Sequence, residues 1–451
     1  MSRLLSYRCR YLACTSLAAI TVLAAPAYAQ DEASDGFSGL GEIIVTAQKR
    51  EQSLQDVPIA VTAVTQDALQ VNRVANVMDL SSLAPGFTVR QSIGGSAIPF
   101  FAMRGALISA VVPGVDKQLS LNIDGVYVQG MRGAIFELPD VERIEVLRGP
   151  QGTLFGRNST AGAISISTRD PSGKAGVKVG GTFGNRDRYR FRLTADTPQI
   201  GPFSAYASFM HEEYRGATRN VLAGQTWDYT RSYTDSANRI VRSPKWLGGQ
   251  KADNYFVAVK FEPSTRFKAT YKFDHGDNAV VNDAIGVLGI DDTAFYGPLW
   301  RLLLAGGSSE PYLFDNNNPQ TTRPDKVYNG GNTATEQKQT GHNLTATFEV
   351  NDQISIKNIL AYRKASILSV GNTDAVTGLK ITQAIVDRYP AATFGASGFT
   401  AAQIGQPFVA VLHQPEFRTK QWSNELQVNF DSDFVTMTLG GIYYDAEDQS
   451  N

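Results

Sequence analysis

Residues 266–274 read Arg-Phe-Lys-Ala-Thr-Tyr-Lys-Phe-Asp, and apolar and polar side chains alternate through the whole stretch. A strand of this kind has one apolar and one polar face, because successive side chains point to opposite sides of a sheet. The same alternation recurs in residues 189–194, 343–350 and 424–430. Repeated amphipathic strands are typical of a transmembrane β-barrel, although a soluble β-sandwich with one wet face shows the same pattern.

The lengths of the connections between strands favour the barrel. Alternation predicts roughly nine strands, which start near residues 177, 188, 203, 253, 265, 341, 354, 418 and 433. Short turns are expected at residues 196–202, 262–265, 351–353 and 431–433, and long polar loops at 213–252, 275–340 and 369–416. Short turns at one rim and long loops at the other are the outer-membrane arrangement, whereas compact soluble domains rarely carry loops of this length.

The alternation also assigns the two faces of the strand at residues 266–274. In a membrane barrel the apolar side meets lipid and the polar side meets the lumen. We therefore expect lipid contact for Phe267, Tyr271 and Phe273, and lumen positions for Arg266, Lys268 and Lys272.

The N-terminus has the three parts of a secretory signal. Arg3, Arg8 and Arg10 precede an apolar run over residues 11–25, and residues 27–29 (Ala-Tyr-Ala) form a small-residue cleavage site. The small, acidic residues 30–41 that follow are expected to be a disordered leader.

Composition removes several functional classes. The two cysteines, Cys9 and Cys14, both lie in the predicted signal, so the mature chain has no thiol chemistry, disulfide or thiolate metal site. The 42 Lys and Arg residues nearly balance the 43 Asp and Glu residues, so the chain has no net positive charge that would attract nucleic acid. The four histidines fall at or near strand ends or loops without a metal-ligand spacing, namely His211, His275, His342 and His413. No nucleophile–base pattern stands out, so we expect no catalytic residues, no protein metal site and no enzyme.

The pattern of apolar and polar residues in 52–170 differs from that of the strand-rich region. Patchy helical spacing over residues 64–83 predicts a helix that Thr65 could cap. Strands follow, and Asp124-Gly125 predicts a hairpin turn between two of them. The segment is therefore expected to be a small α+β domain.

Two motifs flank this domain. Residues 42–50 read Glu-Ile-Ile-Val-Thr-Ala-Gln-Lys-Arg, and residues 141–164 read Val-Glu-Arg-Ile-Glu-Val-Leu-Arg-Gly-Pro-Gln-Gly-Thr-Leu-Phe-Gly-Arg-Asn-Ser-Thr-Ala-Gly-Ala-Ile. The glycines of the second motif lack the spacing of a phosphate-binding loop and suit tight turns instead. Together the motifs closely resemble the TonB-dependent outer-membrane receptors, the first resembling the TonB box and the second the end of the plug domain.

The resemblance implies a fold class and a domain order. A small α+β plug domain would precede an antiparallel transmembrane β-barrel that is 22-stranded in the family and holds the plug in its lumen. The expected domains are a signal peptide (1–29), a disordered leader with the TonB box (30–51), the plug (52–170) and an N-terminal, incomplete part of the barrel (176–451). Because so few strands would leave unpaired edges in lipid, we expect the chain to be a fragment.

The resemblance also implies partners and contacts. Energised import would use TonB with its inner-membrane complex, which we expect to pair with Ile43, Ile44, Val45, Thr46 and Ala47 by strand addition. The alternative is that this segment is the first strand of the plug. By the same resemblance Arg104, Arg148 and Arg157 pair with lumen-facing acids of the barrel, the alternative being ordinary solvated charges.

The substrate expected from the resemblance is a ferric siderophore, with cobalamin, oligosaccharides or another organic solute as alternatives. The siderophore would supply the iron ligands, so no resident cofactor is expected. A passive porin would lack residues 42–168, and a signalling transducer would carry an extra periplasmic domain before the box. The other expected partner is outer-membrane lipid, in the outer membrane of a Gram-negative bacterium.

The export signal gives a first testable prediction. Signal cleavage is expected between Ala29 and Gln30, because residues 27–29 present the small side chains that the peptidase requires. N-terminal sequencing of the protein from outer-membrane fractions measures the cleavage position. A chain that still begins at Met1 would contradict export by this signal.

Overall fold

The structure is a computed structural model, and it describes residues 43–46, 49–50, 52–72, 81, 84–92, 95–108, 117–129, 140–228, 240–285, 298–299, 302, 325–330, 333–368, 371–372, 380–394, 398–406, 412–413 and 416–450. The predicted signal, its cleavage site, the leader and Ala47 lie outside the described residues.

The first part of the described chain is a compact α+β unit. Its strands are β1 (Ile44–Val45), β2 (Gln52–Ser53), β3 (Ala60–Thr65), β4 (Phe87–Ser92), β5 (Gly95–Met103), β6 (Ala106–Ile108), β7 (Leu119–Ile123), β8 (Val126–Tyr127), β9 (Val141–Arg148) and β10 (Gly162–Thr168). Its helices are α1 (Gln66–Val71) and α2 (Gly152–Phe155). Five strands form a mixed sheet in the order β3-β9-β10-β7-β8, and β4-β5-β6 form a second sheet.

The second part is dominated by long strands. These and their small companions are β11 (Gly176–Gly184), β12 (Arg188–Asp196), β13 (Phe203–Tyr214), β14 (Thr218–Asn220), β15 (Thr226–Asp228), β16 (Ile240–Arg242), β17 (Trp246–Leu247), β18 (Gln250–Ser264), β19 (Phe267–Val281), β20 (Lys326–Val327), β21 (Ala334–Glu349), β22 (Ile354–Leu368), β23 (Gly371–Asn372), β24 (Leu412–His413), β25 (Glu416–Asp431) and β26 (Thr436–Ser450). Two short helices, α3 (Gln383–Arg388) and α4 (Ala391–Phe394), and a 3₁₀ turn (Ala401–Gln403) lie between β23 and β24.

Nine of these strands form one antiparallel sheet in the order β11-β12-β13-β18-β19-β21-β22-β25-β26. Sequential strands are therefore neighbours throughout, as in an up-and-down barrel wall. These nine wall strands correspond in number and order to the nine that the alternation pattern predicts.

The α+β unit has its own apolar core. Leu119, Leu121, Val146 and Ile164 are fully buried between the two sheets and α1. The predicted cap of α1 is present, since the backbone N–H of Ala68 donates to Thr65 Oγ1 at 3.4 Å. The helix predicted over 64–83 is described only as far as residue 71, and residues 73–80 lie outside the described part.

The two faces of the large sheet separate as predicted. Leu344 is 40% exposed on the outer face, whereas its neighbour Asn343 is 6% exposed and donates to the carbonyl of Asp124 in the α+β unit. Tyr271 is likewise exposed on the outside, and Lys272 reaches the α+β unit. The polar face of the sheet therefore encloses the plug-like unit, and the apolar face points away from it.

The strand ends differ from the sequence prediction. We expected β19 to end near Asp274 and β21 to begin near residue 341, but the structure continues β19 to Val281 and starts β21 at Ala334. The extra residues still alternate, with Asn278 buried inside, but they are mostly polar on both faces. Apolar alternation stops at the edge of the lipid, whereas backbone pairing continues beyond it, so the sequence signal underestimates the strand length.

One glycine in the wall makes room for an ion pair. Arg363 on β22 donates to both carboxylate oxygens of Asp274 on β19, at 3.0 and 2.8 Å, and Gly341 on the intervening strand β21 lies opposite each of them. A Cβ on Gly341 would collide with the Asp274 carboxylate and the Arg363 guanidinium. The bidentate pair thus requires glycine at this register position.

No helix within the described residues is both long enough and apolar enough to cross a membrane.

The assignment of the faces gives a second prediction. Leu344→Arg places a charge on the outer apolar face and should cost about 2–4 kcal/mol of barrel stability if that face meets lipid. Thr345→Arg is the matched control, because Thr345 is the next residue on the same strand and points inward. The yield of assembled, heat-modifiable protein in outer membranes measures the effect, and equal loss from both variants would contradict the assigned faces.

Candidate functional site

The N-terminal segment is folded onto the plug-like unit. In β1, Ile44 and Val45 pair with Ser53 and Gln52 of β2 in an antiparallel ladder. The Val45 side chain is fully buried among apolar residues that include Leu147 and Ala163. Branched side chains favour a half-buried strand, and this segment finds such a place on its own domain.

A buried carboxylate holds the end of β1. Glu145 Oε1 accepts the backbone N–H of Thr46 at 2.8 Å and the Thr46 hydroxyl at 3.1 Å. The same oxygen accepts Arg143 Nε at 2.9 Å, and the Glu145 side chain has no exposed surface. Hydrogen bonds to an ionised acceptor are stronger than neutral ones, so this contact fixes the segment in its docked position.

This arrangement corrects one expectation. We expected Ile43–Thr46 to lie outside the folded plug, but the structure shows Ile44 and Val45 as a paired strand with Val45 in a buried pocket. The physical reason is that a segment suited to strand addition on a partner is equally suited to pair within its own chain. The contact with TonB itself stays a prediction.

Lys49 links the same segment to the barrel wall. Its ammonium lies 3.1 Å from the Glu425 carboxylate on β25, and both side chains are mostly buried. The Lys49 ammonium also lies 5.4 Å from the ring centroid of Phe155 in α2. The N-terminal segment is therefore fixed both to the plug and to a strand of the wall.

A second set of ion pairs fixes the C-terminal end of the plug-like unit. Arg169 donates to Asp140 at 2.6 Å and to both carboxylate oxygens of Asp196 at 2.6 and 2.9 Å. Its guanidinium lies 3.7 Å from the ring centroid of Tyr206 on β13, whose hydroxyl donates to the Arg169 carbonyl. Asp196 and Tyr206 belong to the wall, so Arg169 joins the two parts of the chain.

Lys272 on β19 makes the most buried of these contacts. Its ammonium lies 3.0 Å from Asp124, 3.2 Å from Asp170 and 2.8 Å from the Thr168 carbonyl. Asp124 in turn accepts the N–H and the hydroxyl of Thr168. Burial alone would raise the pKa of Asp170, but Lys272 and then Lys268 outweigh it and hold that pKa below the ordinary value of 3.8.

Uncharged hydrogen bonds join the plug-like unit to the last strands. Gln421 on β25 donates its side-chain amide to the Tyr127 carbonyl and accepts the N–H of Gln129 at 2.9 Å. Tyr444 on β26 donates its hydroxyl to the Gln129 side chain at 2.9 Å and lies edge-on to the Tyr127 ring. The plug-like unit thus contacts these last strands mainly through polar groups, and a small apolar cluster of Val126, Ile359 and Ala361 joins it to β22.

The three arginines singled out from the sequence lie in different environments. The Arg104 side chain is exposed, and Arg148 Nη1 donates to the Pro85 carbonyl within the plug-like unit at 3.4 Å. The Arg157 guanidinium lies 5.9 Å from the ring centroid of Tyr444 on the wall. The structure does not bring the three together, and their pairing with lumen acids stays a prediction.

Sequence reasoning missed most of the groups that do join the two parts. The alternation assigns Lys272 to the lumen and the turn signal assigns Asp124 to a hairpin, but nothing in the sequence pairs residues so far apart. Lys49, Arg169 and Glu145 carry no signal beyond membership in or near the two motifs.

The histidines also differ from expectation. We placed the four histidines at or near strand ends or loops. His211 does lie three residues from the end of β13, and His413 ends the short strand β24, but His275 and His342 lie well within strands. His211 Nδ1 lies 2.6 Å from Asp253, and His342 Nδ1 lies 2.8 Å from the Tyr271 hydroxyl. In the described part of the chain, no group of three or more His, Cys, Asp or Glu residues could hold a metal ion.

Comparison with known proteins agrees with this geometry. Residues 53–163 match the TonB-dependent Receptor Plug Domain family. The chain is 30% identical over 157 residues to the pesticin receptor of Yersinia pestis, a match that covers 35% of this chain and 23% of that protein. It is 28% identical over 142 residues to the vitamin B12 transporter BtuB of Vibrio vulnificus (strain CMCP6), covering 30% of this chain and 22% of the relative.

Solved structures share the fold. The crystal structure of the ferric yersiniabactin uptake receptor FyuA from Yersinia pestis superposes with a TM-score of 0.61 at 17% identity, over 87% of this chain and 49% of that chain. The siderophore receptor PiuA from Acinetobacter baumannii superposes with a TM-score of 0.59 at 16% identity, over 90% of this chain and 47% of that chain. The chain thus spans about half the length of these receptors.

A plug-domain sequence lies inside a wall of antiparallel strands, and these matches make the chain similar to the TonB-dependent outer-membrane receptors. The predicted fold class, an α+β plug followed by antiparallel barrel strands, is confirmed, and so is the outer-membrane location. The matched relatives are receptors and transporters rather than enzymes.

The ion pairs at Lys272 give a third prediction. Lys272→Ala leaves Asp124 and Asp170 without their buried cation and should lower plug stability by about 3–5 kcal/mol. Lys268→Ala is the matched control, because Lys268 pairs with the same Asp170 but is 47% exposed, and it should cost no more than about 1 kcal/mol. Urea unfolding in detergent, followed by a dye on a cysteine introduced at the exposed Glu142, measures both.

The pH dependence of that stability follows from the lowered pKa of Asp170. A carboxylate with a lowered folded-state pKa stabilises the fold at neutral pH, and this contribution is lost as the pH falls through the folded value. The native plug should therefore weaken in acid, and Lys272→Ala should weaken less over the same range. Equal urea midpoints for the Lys272 and Lys268 variants at neutral pH would refute the assignment of Lys272 as the main anchor.

Proposed function

We propose that this protein actively imports a scarce solute across the outer membrane with energy supplied through TonB, and that the solute is a ferric siderophore. The outer membrane holds no ATP and no ion gradient of its own, so energy must arrive from a partner that spans the periplasm. The observation that carries the proposal is β1, a short strand N-terminal to the plug that is held by few hydrogen bonds and one buried side chain. Such a segment suits strand addition to a partner's sheet edge.

Docking and strand addition compete for the same groups. In the docked state the Thr46 N–H is bound to Glu145, and the Val45 side chain fills a pocket. An added strand needs free main-chain donors and acceptors, so the segment must leave the plug before the partner can pair along its length. The strength of docking therefore limits how often the partner engages.

The polar contacts between the plug and the wall support the proposal that the plug moves during import. Lys49–Glu425 and the amide contacts of Gln421 are hydrogen bonds and ion pairs that water can replace once the plug shifts. An apolar interface of the same size would resist separation more strongly. The plug can thus be displaced by force without unfolding the wall.

The substrate class rests on the relatives. The pesticin receptor, an iron-regulated outer membrane virulence protein of Vibrio cholerae, and the ferric yersiniabactin uptake receptor support iron chelates. The alternative is cobalamin, which the match to the vitamin B12 transporter of Vibrio vulnificus favours.

The fourth prediction tests coupling. Val45→Pro removes one backbone donor and fixes φ, so energised uptake should be abolished while substrate binding at the cell surface is retained. Val45→Ala keeps the donor and should retain uptake, although the lost burial should lower plug stability by about 2 kcal/mol. Cells that lack the native gene and express each variant are compared for binding and for energised uptake of labelled ferric siderophores and labelled cobalamin.

Two outcomes would contradict parts of the proposal. Loss of both binding and uptake in Val45→Pro alone would make the segment a structural strand of the plug rather than the coupling element. Cobalamin uptake that depends on the native gene, without any dependence of ferric siderophore uptake, would keep the mechanism and overturn the substrate.

A further inference from the structure

Three connections at the long-loop rim of the wall are hydrogen-bonded to one another. In chain order they are the first (185–187, between β11 and β12), the second (215–249, between β13 and β18) and the third (282–333, between β19 and β21). In their described parts, β14 of the second connection pairs in parallel with β20 of the third. The N–H of Arg219 donates to the carbonyl of Asp325 at 2.9 Å. The N–H of Val221 donates to the carbonyl of Val327 at 2.9 Å. Segments joined by a tight turn pair antiparallel, so this parallel ladder joins two separate connections.

The side chain of Asn220 strengthens the contact between the second and third connections. Its amide nitrogen donates to the carbonyl of Asn329 at 2.6 Å, and its oxygen accepts the N–H of Asn329 at 3.2 Å. Both asparagines are only 1% exposed. The carboxamide therefore pairs with the main chain of Asn329 as another peptide group would, and water does not compete for these bonds. Separating the two connections would leave buried polar groups unpaired.

The side chain of Asn329 joins the two limbs of the third connection in the same way. Its oxygen accepts the N–H of Ile285 at 3.0 Å, and its amide nitrogen donates to the carbonyl of Ile285 at 2.9 Å. The outgoing limb also contacts the second connection directly, since the N–H of Gly248 donates to the carbonyl of Asn282 at 3.0 Å. The second connection is therefore bonded to both limbs of the third.

Arg215 joins the first connection to the second. Its N–H donates to the carbonyl of Arg186 at 3.0 Å, and its Nε donates to the Asp187 carboxylate at 2.8 Å. Its guanidinium lies 4.2 Å from the ring centroid of Trp246 on β17, the strand that pairs with β14. The three connections thus form one continuous set of bonded segments.

We propose that the described parts of these three connections form one rigid body at the extracellular mouth of the wall, and that this body stays joined while solute is imported. Its parts separate only when several buried hydrogen bonds break together, whereas a connection with exposed hydrogen bonds opens locally at little cost. The hydrogen bonds between Ile381 and residues 405–406 instead close part of the long connection before β25 on itself. Any opening of the mouth for solute is therefore assigned to connections outside the rigid body, an inference that rests on the proposed import.

Hydrogen exchange tests whether the three connections open as one unit. In the receptor purified from outer membranes in mild detergent, Asn220→Ala should accelerate amide exchange several-fold in residues 218–222 and 325–330. It should also accelerate exchange in residues 282–285, where Ile285 is bonded to Asn329. The reason is that cooperative opening spreads the loss through the whole unit.

The matched control for this measurement is Gln225→Ala. Gln225 is an exposed amide of the same connection and takes part in its turn through main-chain atoms. The control should leave exchange in residues 325–330 and 282–285 at the native rate. Acceleration in Asn220→Ala that is confined to residues 218–222 and to Asn329 itself would overturn the proposal.

A disulfide between the second and third connections tests whether they stay joined during import. Arg219 and Lys326 are exposed and directly opposite in the parallel ladder, and neighbouring strands about 4.8 Å apart suit a disulfide. The other cysteines of the chain lie in the predicted signal. Cells that lack the native gene and express oxidised Arg219→Cys/Lys326→Cys should take up labelled ferric siderophore or labelled cobalamin at the native rate, and reductant should not change that rate.

The control disulfide joins only the two strands of one hairpin. Thr226→Cys/Arg242→Cys crosslinks β15 to β16 within the second connection, and it should also leave uptake at the native rate. Loss of uptake in the oxidised Arg219/Lys326 variant alone, restored by reductant, would overturn the proposal. If cells with the native gene import neither labelled solute, the proposed function fails, whereas the exchange measurement still decides whether the three connections form one body.

Discussion

The contact of Lys272 with Asp124 and Asp170 determines the position of the plug-like unit relative to the strands of the wall. A lysine on the polar face of a wall strand ends among two carboxylates and a carbonyl of the plug, where little water reaches it. Separating such groups is costly unless water or another partner replaces them. The plug is consequently fixed in position beside β19, and the face assignment of every neighbouring strand follows from that one inward-pointing side chain, because side chains alternate with a strict period of two.

The remaining contacts fall into two groups that differ in strength. Around residues 168–170 the plug is joined to the wall by several buried ion pairs and by a guanidinium lying on a tyrosine ring. Around residues 43–49 the contacts are a two-residue strand, one buried valine, two hydrogen bonds from Thr46 to Glu145 and one ion pair with the wall. Force applied at the N-terminus therefore meets the weaker group first. The end that would move in the proposed import is the end with fewer contacts, and the end that joins the wall covalently is the end with more.

The sequence predicted the wall well because the signal is local. Alternation in a stretch such as residues 266–274 is visible without knowledge of any other strand, and the outward side of Tyr271 and the inward side of Lys272 follow directly. The sequence did not predict the part of β19 beyond Asp274 or the part of β21 before Gly341. Outside lipid both faces of a strand are polar, so the alternation of hydrophobicity disappears there. The site was less accessible to prediction. Lys49 and Glu425 are 376 residues apart, and the docking of Val45 depends on a pocket formed by three other parts of the plug.

The ion pair that crosses Gly341 has a consequence for assembly. Alternation of apolar and polar faces distinguishes the correct pairing from a shift by one residue, which would turn every side chain to the wrong side, but it is blind to a shift by two. If β21 slid by two positions, Gln339 or Asn343 would stand where Gly341 now stands, and its side chain would separate Asp274 from Arg363. Because glycine has no side chain, position 341 permits the ion pair between Asp274 and Arg363 only in the correct register. The ion pair therefore disfavours a two-residue shift of β21, which the alternation of hydrophobicity alone cannot exclude.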